Sequence, residues 1–110
     1  MSIGRNAVRM DLPNTLTALY TTLPHTRFDV RSITGVNRGS SDAKWELYIV
    51  GTGDTPGDDN VLIPATDGWA IPGGKNIDYE TWKILSAGEV IWGRSYGSIT
   101  IHIDGALVKA

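Results

Sequence analysis

The sequence predicts an all-β protein, a small antiparallel β-sandwich or barrel of about seven to eight short strands. Three observations lead there. The 110 residues include 13 glycines, 5 prolines and 4 tryptophans, a mix that suits short strands and tight turns and gives long helices little to build on. From Arg27 onward, apolar and polar residues alternate with a period of two. Clusters of turn-forming residues interrupt that alternation roughly every 10 residues, as they do in sandwiches and barrels made of antiparallel hairpins.

The first 25 residues follow a different pattern. Leu16, Leu19, Tyr20 and Leu23 have the i, i+3, i+4, i+7 spacing of one helical face, and Pro13 or Asn14 stands where a helix would begin. Thr15, Thr17, Thr21 and Thr22 oppose that reading, because β-branched side chains lose rotamer freedom in a helix. Two readings stay open: a short helix, or an extended arm that becomes ordered only against a partner. Residues 1–25 are therefore assigned as an N-terminal arm and 26–110 as a single β domain. The arm's apolar residues Leu12, Leu16, Leu19, Tyr20 and Leu23 are the candidate contacts to that partner.

In the β domain, "RFDV" places Phe28 and Val30 on one face, and the pattern slips at Ser32-Ile33, where a bulge or strand end is expected. "KWELYIV" is apolar enough on both faces to be a central strand. "GTGDTPGDDN" is loop. "VLIP" and "GWAIP" are short apolar runs whose Pro64 and Pro72 favour edges or strand ends. "YETWKIL" sets Tyr79, Thr81, Lys83 and Leu85 against Glu80, Trp82 and Ile84. "EVIW" follows the turn "SAG", and "SITIHID" alternates strictly, with Ile99, Ile101 and Ile103 inward. Asp104-Gly105 is the pair favoured in two-residue hairpins, so "ALV" reads as a returning strand.

Charge narrows the function classes. Ten Lys and Arg against twelve Asp and Glu give a net charge of −2, with no block of either sign, so the sequence offers no footprint for nucleic acid or an anionic membrane. Cysteine is absent, which excludes disulfides and thiolate metal sites. Residues 1–12 lack the apolar run of a signal peptide, and no stretch approaches the length of a membrane span; the expected place of synthesis is the cytosol.

The one string that resembles an active site is "GRSYG", residues 93–97, which fits the G-x-S-x-G of a nucleophile elbow. That elbow needs a helix after the serine, whereas Ser95 is followed by "SITIHI", a strand pattern; His102 also precedes Asp104, against the order Ser, Asp, His. Gly93 and Gly97 therefore read as the pivots of a hairpin, Ser95 as a turn residue, and the protein as no enzyme. "GTG" at residues 51–53 leads into carboxylates that would repel a phosphate. Asp54, Asp58, Asp59, Asn60 and Asp67 have oxygens to offer Ca²⁺ but lack EF-hand spacing, and the pair His102 and Asp104 reads as an exposed strand face. Glu46, Glu80 and Glu89 are the only glutamates, and nothing in the sequence brings two of them to one cleft as a glycosidase requires. No cofactor is assigned. Among the tryptophans, Trp45 and Trp82 are expected in the core, and Trp69, between two loops, is the candidate for stacking on a glycan.

Residues 31–72, "RSITGVNRGSSDAKWELYIVGTGDTPGDDNVLIPATDGWAIP", resemble a passage of bacteriophage tail spikes and tail fibres. There a strand leads to a Gly-Asp-rich loop, a short strand ending in Pro, and a loop ending in Gly and Trp; Asp58, Asp59, Val61, Ile63, Pro64, Gly68 and Trp69 occupy those places. The long β-helical body of the spikes is missing. The resemblance implies a virion structural protein, fibre-like or a capsid-decoration subunit, that contacts other virion proteins and self-associates as a trimer. A carbohydrate-binding module that recognises a host glycan through Trp69 is the alternative.

Overall fold

The alternation becomes eight antiparallel strands in a computed structural model of the chain, which describes residues 3–109. They are β1 (Ile3–Asp11), β2 (Thr17–Thr21), β3 (Thr26–Asn37), β4 (Trp45–Val50), β5 (Val61–Ile63), β6 (Asn76–Leu85), β7 (Val90–Ser95) and β8 (Ile99–Lys109). Two four-stranded sheets form, in the orders β1-β8-β3-β6 and β2-β7-β4-β5. This strand order is that of an eight-stranded jelly roll. Consecutive strands lie in opposite sheets except β4 and β5, so most connections cross the sandwich.

Inward residues from the two sheets meet in one core. Phe28, Val30 and Ile33 of β3 and Ile99, Ile101 and Ile103 of β8 face Trp45 and Leu47 of β4, all of them buried. The change of phase within β3 is a bulge: its register to both β6 and β8 shifts between Val30 and Ser32, close to the slip the sequence marks. Trp45 lies over Gly35, where an added Cβ would come within 2.9 Å of the indole, and its Nε1 donates to the Trp69 carbonyl at 2.7 Å. Buried Asn37 fastens the adjoining loops, donating to the carbonyls of Ser41 (2.8 Å) and Ile71 (2.7 Å) and accepting from the Gly39 N–H (2.8 Å).

Four expectations need correction. Residues 17–21 are strand, not helix, and β1 and β2 each close one sheet, so residues 3–21 belong to the sandwich instead of preceding it as an arm. The helical spacing of Leu19 and Tyr20 arises from a bulge, a register shift between Ala18 and Tyr20, that lets both side chains pack against the core. Asp104-Gly105 is not a turn. β8 runs straight through it, and Gly105 is there because the β3 backbone at its own bulge leaves no room: a Cβ would lie 2.1 Å from the Asp29 carbonyl oxygen. Gly93 and Gly97 do not pivot a hairpin either, since β7 and β8 lie in different sheets and neither glycine has a positive φ. Trp82 is 78% exposed, the reverse of a core position.

Candidate assembly surface

The exposure of Trp82 follows from the face its strand shows to the core. On β6, Ile77, Tyr79, Thr81 and Leu85 turn inward, and Glu80, Trp82 and Ile84 turn to solvent. Two large apolar side chains, Trp82 at 78% and Ile84 at 61% exposure, are thus adjacent on the outer face. β6 is an edge strand, paired among the described residues with β3 alone. The Arg31 guanidinium lies 4.8 Å above the Trp82 ring and extends the patch. On the other side, Ile84 and Lys83 border a groove of about 290 Å³ whose opposite wall is Ile49, Asp59, Asn60, Val61 and Leu62, across to the edge strand β5.

The rest of the outer face of that sheet is mostly polar, and many of its side chains pair with one another. Three rows run straight across its four strands: Arg9, His102, Thr34 and Asp78; Ala7, Asp104, Ser32 and Glu80; Asp11, Thr100, Val36 and Asn76. Arg9 donates to His102 Nδ1 (3.2 Å) and Asp104 (3.0 Å), Arg38 and Thr100 bind Asp11, and Thr34 donates to Asp78 at 2.8 Å. His102 and Asp104, weighed as metal ligands, are thus members of a hydrogen-bonded sheet face. One row ends in opposite charges, Arg9 on β1 and Asp78 on β6; the others end in Ala7 and Glu80, and in Asp11 and Asn76.

The other sheet shows solvent a smaller aromatic set. Tyr48 of β4 stands opposite Trp92 of β7, and Glu46 opposite Arg94. Tyr48 donates to Glu46 at 2.9 Å; burial, and then the carboxylate, push its phenol from 10.0 up to about 12. Arg94 stacks on Tyr96 at 4.2 Å.

The residues singled out by sequence are dispersed. Leu12 is buried, Leu19 and Tyr20 pack against the core, and only Leu16 and Leu23 are exposed. Trp69 is half-buried, edge-on to Tyr79 with ring centroids 5.3 Å apart. Ser95 is fully enclosed and donates its hydroxyl proton to the Gly97 carbonyl at 2.7 Å. The acidic loop is organised by Asn60, which accepts from the Gly57 N–H and donates to the Thr55 carbonyl. Among the described residues, no group of three or more His, Asp and Glu side chains is placed to hold a metal ion. Glu89 accepts from the Ser86 N–H, far from Glu46 in its tie to Tyr48.

Sequence reasoning did not identify the Trp82–Ile84 patch. The signal was present as an alternation with two apolar residues on the face opposite Tyr79 and Leu85, but alternation does not say which face is inside.

No family model matches the chain, and no curated protein is significantly similar to it. Solved structures share its fold. The nucleoplasmin-like N-terminal domain of Drosophila FKBP39 matches with a TM-score of 0.53 at 15% identity, over 98% of this chain and 91% of that one. A structure from Bacillus endospore appendages, which form disulfide-linked pili, matches with a TM-score of 0.50 at 9% identity, over 96% and 86%.

Proposed function

We propose that this chain is a structural subunit that works by binding other copies of itself, with the edge strand β6 as its adhesive surface. The observation that carries this reading is the pairing of Trp82 and Ile84, both mostly exposed, on a strand whose outer edge meets no other strand among the described residues. Aromatic residues are enriched at the centres of protein interfaces, and a bare edge strand is a template for pairing with another chain. Covering even part of these two side chains on association would contribute on the order of 1 kcal/mol or more.

The setting we assign is a bacteriophage particle, as a fibre-like or decoration subunit, and the trimer is the closed form we favour. Support comes from the tail-spike resemblance over residues 31–72 and from the jelly roll, a fold that viral capsid domains use. The pilus-forming appendages add a second instance of this fold in an assembly; a chain without cysteine would have to assemble without disulfides. A glycan site at Trp69 has less to draw on, because that ring is packed edge-on against Tyr79.

Native mass spectrometry and sedimentation test the reading. The wild type is expected to form oligomers whose population rises with concentration. Trp82→Lys, which leaves the core untouched, is expected to weaken association by about a hundredfold, equivalent to roughly 2.7 kcal/mol. A wild type that stays monomeric at millimolar concentration would remove the basis for the assignment.

A further inference from the structure

We infer that the β1-β8-β3-β6 sheet continues from one copy to the next, with the β6 edge of one subunit paired to the β1 edge of its neighbour. The inference rests on the self-association reading and names the surface that receives β6.

Strand direction comes first. Every neighbour in this sheet is antiparallel, and the sheet has an even number of strands, so β1 and β6 run in opposite senses. A second copy in the same orientation therefore presents a β1 antiparallel to the first copy's β6, and the alternation carries on unbroken.

Hydrogen-bond parity comes second. The Leu12 N–H donates to the Ile99 carbonyl, so on β1 the even-numbered residues bond to β8, and Ala7, Arg9 and Asp11 turn their N–H and C=O groups away from it. The Asn37 N–H donates to the Lys75 carbonyl, so on β6 Ile77 and Tyr79 bond to β3, and Asn76, Asp78 and Glu80 turn theirs outward. Among the described residues these outward groups meet no other strand. The residues with unshared backbone groups are, on both edges, those whose side chains lie on the outer face. Pairing the two edges thus keeps outer face with outer face.

Register comes third. Prolonging the three rows without a step sets Asp78 opposite Arg9, Glu80 opposite Ala7 and Asn76 opposite Asp11 of the next copy. This is also the register in which all of β1 is matched by β6, with residues 3–11 opposite 76–84. It brings a carboxylate to a guanidinium. A slip of two residues one way would set Asp78 against Asp11, and two β6 edges meeting about a two-fold axis near their acidic half would oppose Asp78 and Glu80 to each other. Charge therefore favours β1 over a second β6 met in its acidic half. The contact is head-to-tail, giving a ring where rotation closes it and an open row where it does not, with a repeat of four strand spacings, about 19 Å.

Engineered cysteines read this out, because the chain has none of its own. Opposite residues in a hydrogen-bonded antiparallel pair have Cα atoms about 5.5 Å apart, within disulfide range. Mild oxidation of an equimolar mixture of Ala7→Cys and Glu80→Cys proteins is expected to give a disulfide-linked pair with one chain of each, and neither protein alone should do so. The double variant should give a ladder of multiples. Asp11→Cys with Asn76→Cys, one row away, repeats the test should the first pair disturb folding. Dimers of Glu80→Cys alone, or of Trp82→Cys alone, would overturn the inference in favour of a two-fold β6 contact. Self-association of the wild type with no mixed disulfide at either pair would overturn it while sparing the assembly reading; a strictly monomeric wild type would overturn both.

Discussion

Tyr48 and Glu46, two residues apart on β4, point to the same solvent face, and that spacing alone makes their hydrogen bond. The phenol holds its proton to about pH 12 because burial disfavours the phenolate and the Glu46 carboxylate both accepts the proton and repels the charge. Between pH 10 and 12 the folded chain then binds a proton that the unfolded chain has released. Stability is complete below about pH 10 and falls as pH rises through the folded value. Urea unfolding at pH 8 and at pH 11 should show this loss, and Tyr48→Phe, which cannot titrate, should show less of it. Ultraviolet titration should show a high-pH phenol step in the folded wild type that Tyr48→Phe lacks; equal slopes for wild type and variant would refute the assignment.

At the scale of elements, the strands legible in the sequence were those with contrast between their faces. Ile99, Ile101 and Ile103 against Thr100, His102 and Asp104 left no doubt about which side is core, and Phe28 with Val30 placed β3 and its bulge. β6 had no such contrast. Its core-side positions include Thr81 and an exposed Lys83, its outer side carries Trp82 and Ile84, and only the register to β3 decides between them. The turn readings failed for a different reason. Asp104-Gly105 and Gly93 are glycine positions created by close approach of a neighbouring strand or side chain, which local sequence cannot register: at Gly93 a Cβ would lie 2.6 Å from a Leu47 methyl. Gly105→Ala separates the two explanations. A residue in the middle of β8 pressed on the Asp29 carbonyl predicts a loss of about 1–3 kcal/mol in urea denaturation, since backbone must move to admit the methyl. An unchanged midpoint would mean that β3 and β8 are further apart there.

For the whole molecule, the decisive question is whether residues 1–25 are an appendage or part of the fold. β1 pairs with β8 along its full length, from Ile3 opposite Val108 to Asp11 opposite Thr100, so the first and last strands lie side by side. β2 closes the second sheet on β7, and the Tyr20 ring meets Phe28 edge-on with centroids 5.4 Å apart. Val8 and Leu12 are core residues. Removing 1–25 would therefore take one strand from each sheet, bare the flanks of β7 and β8, and uncover Ile101 and Phe28. An arm could be cut away and leave 26–110 with its own sharp thermal transition; a sandwich so shortened should lose cooperative unfolding and near-ultraviolet dichroism, and its new long edge on β8 should make it aggregate. Because the same cut removes the β1 edge, adding the truncated chain to the full-length protein should also fail to extend its oligomers through β6. A fragment 26–110 that melts as sharply as the parent would restore the arm and take the receiving edge of the assembly with it.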